Sequence, residues 1–190
     1  KQTLLAHSSV KTVVEASNGK IAVEKNMSEK PDLIIMDINM PVMDGIAATR
    51  EIMSRRPVPV MIFSNELDAH NSFKALEYGA LDLMKKPDID QLNNPEFYRA
   101  FIDRLHELAL SLPKHHHEME SGPDAGAPEG KGFDMIVMGA STGGPLAIGS
   151  IISTLPESFP LGIVIVQHME TGFDDSFASW LDGDTPLSVR

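Results

Sequence analysis

The chain has 190 residues, 42% of them apolar and 23% charged, with a formal net charge of −11 and no cysteine. That length accommodates one or two domains with packed cores. The acidic balance argues against a nucleic-acid partner, because phosphate contacts need clustered Lys and Arg, and pairs such as Arg55-Arg56 and Lys85-Lys86 are too short for a stripe. Without Cys there is no disulfide, thiol catalysis or Cys-ligated metal. No run approaches the ~20 apolar residues that span a bilayer, and no basic-then-apolar leader is visible in the sequence. The expectation is a cytoplasmic protein with no membrane insertion.

The chain opens inside what reads as the tail of a helix. Thr12-Val13-Val14 reads as a strand, and Asn18-Gly19 marks the turn out of it. A short helix over 21–27 leads to a strand over 32–37. Ile46, Thr49 and Ile52 or Met53 give 46–55 a helical face. Residues 58–63 form the next apolar strand, entered through Pro57 and Pro59. The helix over 69–78 ends at Gly79, a natural residue just past a helix end. A strand over 81–84 runs into Lys85-Lys86-Pro87. Pro95 suits a first helical position, and Phe97, Phe101, Leu105, Leu108 and Leu112 mark a long amphipathic helix.

Residues 113–131 then carry Pro, Gly, acidic residues and His115-His116-His117, with almost nothing apolar. Such a stretch cannot bury enough surface to fold and reads as a flexible linker. As a coil of about 20 residues it would span roughly 25 Å r.m.s.. A second unit starts near residue 132: a strand over 133–138, a Gly-rich turn, a helix from Pro145, and a strand over 161–166 ending in Gln167-His168. Phe173, Phe177 and Trp180 are spaced as the buried face of a helix. The chain stops at Arg190, where a strand is starting, so both ends look cut. Alternating strands and helices predict α/β architecture: a doubly wound parallel sheet over 1–112, then the beginning of a second, Rossmann-like α/β domain over 132–190.

Asp37 is the most informative residue. The apolar run Leu33-Ile34-Ile35-Met36 ends in its carboxylate and is followed by Ile38-Asn39-Met40-Pro41-Val42-Met43-Asp44-Gly45. That pattern is a buried parallel strand delivering an acid to its carboxyl end, the edge where open α/β sheets place their chemistry. Met36 to Gly45 resembles the phosphoacceptor strand and loop of two-component receiver domains. The resemblance implies that Asp37 accepts a phosphoryl group, that Ser64 hydrogen-bonds it and that Lys86 pairs with its charge. It also implies a Mg²⁺ ion held by Asp37, by the Asn39 backbone carbonyl and by an acidic pair on a first strand. That strand falls before Lys1. It is central in the 2-1-3-4-5 order, so its absence predicts a gap of about 10 Å, two strand spacings. Leu83 stands where many receivers carry a switching aromatic.

A second motif, Gly139-Ala140-Ser141-Thr142-Gly143-Gly144, lies between an apolar strand and a helix, the context of a nucleophile elbow. Ser is a poor nucleophile without a base. His168, at the end of the next strand, stands beside Ser141 on the same sheet edge and is the natural general base. Backbone N–H groups at the helix start can stabilise an oxyanion. A Rossmann nucleotide loop is the alternative. Against it, Ser141 replaces the second Gly of the fingerprint, and no acidic residue stands about 20 positions on.

Residues 138–145 and 166–169, behind a receiver-like segment and a Pro-rich linker, resemble the chemotaxis response-regulator protein-glutamate methylesterase (CheB) family. The resemblance implies phosphorylation-activated hydrolysis of glutamate methyl esters on chemoreceptors, with deamidation of receptor glutamines. Ser141 would attack, His168 would take its proton, and Thr142 would lie in the active-site mouth. The third triad residue, an Asp, would fall beyond Arg190. The partners implied are methylated chemoreceptors as substrate and a chemotaxis histidine kinase as phosphodonor. The unphosphorylated receiver would cover the esterase mouth. A competing expectation is a phosphoacceptor binding module with an inert esterase portion. His115-His116-His117 could bind a transition metal, though a flexible linker offers it no fixed geometry.

Overall fold

A computed structural model of the chain describes residues 2–5, 7–64, 69–111, 134–169 and 173–190. It divides into two compact units, Lys1–Pro113 and Lys114–Arg190. The expected linker and its three histidines lie outside the described residues.

In the first unit the elements run α1 (Gln2–Leu5), α2 (Gly19–Glu29), β1 (Ile34–Asp37), α3 (Gly45–Arg55), β2 (Val60–Ser64), α4 (Ala69–Glu77), β3 (Asp82–Lys85), α5 (Ile89–Asn93) and α6 (Pro95–Leu110). Short polar side chains set the helix starts. Asn18 accepts from Ile21 N at 3.0 Å, Asp44 from Ala47 N at 2.7 Å, and Asn94 from Glu96 N at 2.9 Å. Each satisfies a backbone donor that has no partner within the helix. Helix α5 was not expected from the sequence. Its signal was present in Asp88 and Gln91, which form a reciprocal capping box.

Strands β1, β2 and β3 form one parallel sheet in that order, with Asp37 opposite Phe63 and Ser64 opposite Lys85. Helix α6 covers one face. Phe101, Ile102, Leu105 and Leu108 cluster there with Met61 and Met84, and Ile35 and Phe63 pack against the cluster. Because strand side chains alternate, Met36, Val60 and Ile62 point to the other face, where α3 packs on β1 and α4 on β2 and β3. All three are at most 2% exposed. Burial of such a side chain is worth about 1.5–3 kcal/mol, so this layer of helices fixes which way each strand faces.

The expected strand at Thr12-Val13-Val14 is not one. Residues 10–16 carry no ladder, and the sheet of the described residues holds only β1, β2 and β3. A strand is defined by the neighbour that takes its N–H and C=O groups. β-propensity alone supplies no such neighbour.

Val42 is strained. It has φ 70° and is 83% exposed, in the loop after β1. A β-branched residue in the left-handed region costs about 1–2 kcal/mol, and an exposed side chain recovers nothing by packing. Val42→Asn is expected to stabilise the unit by about 1 kcal/mol, read as a higher urea midpoint at constant slope. An unmoved midpoint would mean that the loop carries no strain.

The second unit contains β4 (Met135–Ala140), α7 (Gly144–Ile152), β5 (Gly162–Gln167) and α8 (Asp174–Asp184). Strands β4 and β5 are parallel, in register from Met135 opposite Gly162 to Ala140 opposite Gln167. Helix α7 packs on β4 and on α8. The expected core residues Phe173, Phe177 and Trp180 are buried with Ile148, Ile152 and Leu181. Gly149 lets the two helices meet, since a Cβ there would lie 2.7 Å from the Trp180 ring. The outer side of the β4–β5 ladder carries Met135, Val137, Val164 and Val166, all exposed.

Candidate functional site

Two sites are built, one in each unit, each at the carboxyl end of a parallel ladder. In the first, β1 delivers Asp37 and the segment after β3 delivers Lys86. Lys86 Nζ donates to Asp37 Oδ2 at 2.5 Å, and Asn39 N donates to Oδ1 at 3.2 Å. Lys86 is positioned by its own backbone, whose N–H donates to Ser64 O at 3.1 Å. Ser64 itself ends β2 and is buried. The three residues expected to form a phosphoryl site therefore stand at three adjacent strand ends, with Asp37 and Lys86 in direct contact. Their side chains are 31% and 33% exposed, so the carboxylate is open to a reactant.

The loop between Asp37 and α3 folds back on the strand end. Gly45 N donates to Ile38 O at 2.9 Å. A Cβ on Gly45 would lie 2.0 Å from Asp37 O, so only Gly allows helix α3 to begin there. Leu83, the position of the expected aromatic, lies within β3 opposite Ile62. Beside it is a pair that composition did not disclose: Asp82, 6% exposed, accepts two hydrogen bonds from Arg104 of α6, at 2.6 and 2.7 Å.

Mg²⁺ takes six oxygen ligands in octahedral geometry. Asp37 and the Asn39 carbonyl would supply two protein oxygens. No group of three or more His, Cys, Asp or Glu able to hold a metal occurs among the described residues. These residues do not by themselves compose a Mg²⁺ site.

In the second site, β4 ends at Ala140 and the chain turns through Ser141, Thr142 and Gly143 into α7. Gly143 has φ 75°, the left-handed region in which a side chain would be strained. His168 N donates to Ala140 O at 3.0 Å, extending the ladder by one step and setting His168 beside Ser141. Both residues are exposed, so the pair is accessible. Their side chains make no hydrogen bond to one another among the described residues. Ser141 O accepts from Gly144 N at 2.8 Å and from Gln167 Nε2 at 2.9 Å. Gln167 was seen in the sequence only as the neighbour of His168. Its contact with Ser141 follows from the register, which places it opposite Ala140.

A parallel sheet with a lysine-paired aspartate at its edge defines a receiver-type unit. The second unit carries a strand–Ser–helix turn with a histidine at the end of the neighbouring strand. Residues 1–94 match the response regulator receiver domain, and residues 136–190 match the CheB methylesterase domain. The chain is 38% identical to a protein-glutamate methylesterase/protein-glutamine glutaminase of Methanospirillum hungatei, covering 95% of this chain and 55% of that protein. It is 34% identical to one from Burkholderia pseudomallei, covering 92% and 52%. The response regulator domain of Thermotoga maritima CheB is 31% identical with TM-score 0.51, over 60% of this chain and 87% of that structure. The chain belongs to the CheB family of response-regulator methylesterases, and it spans about half the length of the curated relatives it matches. No helix among the described residues is long and apolar enough to cross a membrane.

Proposed function

We propose that the protein removes methyl groups from glutamyl esters of chemoreceptors, deamidates receptor glutamines, and is activated by phosphorylation of Asp37 from a chemotaxis histidine kinase in the cytoplasm. The domain limits proposed for this activity are a receiver over 1–112, a linker over 113–131 and a catalytic portion from 132. The observation that carries the proposal is the placement of Ser141 and His168 side by side at the carboxyl end of β4 and β5. Ser141 attacks the ester carbonyl while His168 takes its proton. His168 returns the proton to the departing methoxide, and methanol leaves. Water, deprotonated by His168, then attacks the acyl-enzyme carbonyl; His168 gives that proton to the departing Ser141 Oγ, and the receptor's glutamyl carboxylate is released. Thr142, next to the nucleophile, lines the mouth of the site.

At the other site Asp37 is the phosphoacceptor, and Ser64 and Lys86 hold the phosphoryl oxygens. The Lys86 contact with Asp37 supports this, because the ammonium is already placed where charge will grow. Any Mg²⁺ would meet Asp37 and the Asn39 carbonyl. The test is methanol release from methylated receptors by the full-length protein, with and without a small phosphodonor. Stimulation is expected for the unaltered protein and none for Asp37→Asn, whose unstimulated rate stays in place. Stimulation that survives Asp37→Asn would remove Asp37 from its role.

A further inference from the structure

Gln167 is half-buried at the end of β5, and the expected chemistry gives it no task. Its amide makes an unusual set of contacts. Nε2 donates both protons to backbone carbonyls, Ser141 O at 2.9 Å and His168 O at 3.0 Å. Turning the amide over would set Oε1 against those two carbonyls, so the orientation is fixed by its partners. Oε1 is then buried with no hydrogen-bond partner among the described residues. It lies 2.0 Å from the point a Cβ on Gly144 would occupy. That point is the direction of a Gly144 Cα–H, so the carbonyl rests on the first residue of α7 through a weak C–H···O contact.

One side chain thus touches the backbone of the proposed nucleophile, of its proposed base and of the helix between them in sequence. Ser141 O already accepts from Gly144 N at 2.8 Å. With Gln167 both lone pairs of that carbonyl are used, and the Ser141–Thr142 peptide cannot rotate without losing two hydrogen bonds. The peptide is trans, so its N–H points opposite to its C=O. Holding Ser141 O down on Gln167 and Gly144 turns the Thr142 N–H outward. That N–H and the Gly143 N–H donate to no group among the described residues. The N–H of the residue after a nucleophile is where an oxyanion is received.

We propose that Gln167 is a positioning residue for hydrolysis: it locks the Ser141–Thr142 peptide so that the Thr142 N–H faces the developing oxyanion, and it ties His168 to the same support. The inference rests on the esterase function proposed for Ser141 and His168. Without the amide only the Gly144 N–H holds Ser141 O, so a flip of the peptide costs one hydrogen bond instead of two, and each flip withdraws one oxyanion donor. Gly144→Ala attacks the same lock from the other side, because the added methyl group would lie 2.0 Å from Oε1 and so displaces it, though it also meets the Ala140 Cβ at 2.7 Å.

The experiment measures kcat and KM of the full-length protein on a glutamate methyl ester peptide for Gln167→Met, Gly144→Ala and Ser141→Ala. Gln167→Met is expected to lose about 100-fold in kcat, the loss that follows one missing oxyanion donor, with KM nearly unchanged and the Ser141 carbonyl ¹³C resonance displaced. Gly144→Ala is expected to lose a similar factor, and it carries the test alone if Gln167→Met does not fold. A Ser141→Ala protein without activity beside a Gln167→Met or Gly144→Ala protein of full kcat overturns the role of Gln167 and leaves the esterase standing. An active Ser141→Ala protein overturns the esterase, and the role of Gln167 with it.

Discussion

Ser141→Ala is expected to lower methanol release by the full-length protein at least ~10³-fold, down to the detection limit. No other hydroxyl takes the place of Ser141 at the turn between β4 and α7. Thr142 is displaced by one residue along a bend whose backbone is fixed by Ser141 O and Gly144 N. His168→Gln is expected to lose about as much, because Ser attacks slowly without a base to receive its proton. The double variant should be no worse than either single one, since the pair acts as a unit and its losses do not add. Phosphorylation of Asp37 and the unfolding midpoint should be unchanged in all three. Hydrolysis surviving in Ser141→Ala would exclude the covalent route. Losses that multiplied in the double variant would show two groups working independently.

Arg104→Ala is expected to destabilise the receiver unit by about 3 kcal/mol. The substitution leaves Asp82 charged beneath α6 without its two charge-assisted hydrogen bonds. The figure sits at the low end for a buried pair because the Arg104 side chain is 21% exposed and water reaches one end of it. Some of the loss is packing, since most of the Arg104 side chain is out of solvent. Arg104→Met separates these contributions, keeping most of the stem while removing the charge. Joining Arg104→Met to Asp82→Leu should recover most of the stability, because a buried pair contributes little over apolar groups of similar volume. Urea unfolding of the single and double variants gives the coupling directly. An additive double variant would mean that Asp82 and Arg104 do not depend on one another.

Most of this architecture could be read from residue order, because the strands are short apolar runs with a charge or a Gly at the edge. β1 to β3, β4 and β5 were each legible in this way, and Asp37 and Ser141 could be placed at strand ends before any geometry was known. What could not be read depends on partners. Thr12-Val13-Val14 has the side chains of a strand, yet pairing is decided by what lies alongside. Asp82 looks like an ordinary charge in a strand until Arg104, 22 residues on, turns its guanidinium toward it. Gln167 is equally silent. Its function follows from standing opposite Ala140, and register is a property of two strands rather than one. Helix α5 was missed for a different reason, since five residues are too few for periodicity to register, although the Asp88 and Gln91 capping pair announced it.

The outer side of the β4–β5 ladder, exposed among the described residues, has a bearing on handling. Met135, Val137, Val164 and Val166 are 54%, 65%, 43% and 60% exposed, and they form one continuous apolar strip on a two-stranded ribbon. Helix α7 packs on β4, while an apolar strip exposed in this way invites self-association. Net acidity keeps molecules apart at long range and does nothing to wet four aliphatic side chains at contact. Choosing where to cut a shorter version of this protein is therefore a question of what is left covering that strip, more than of which active-site residues are retained.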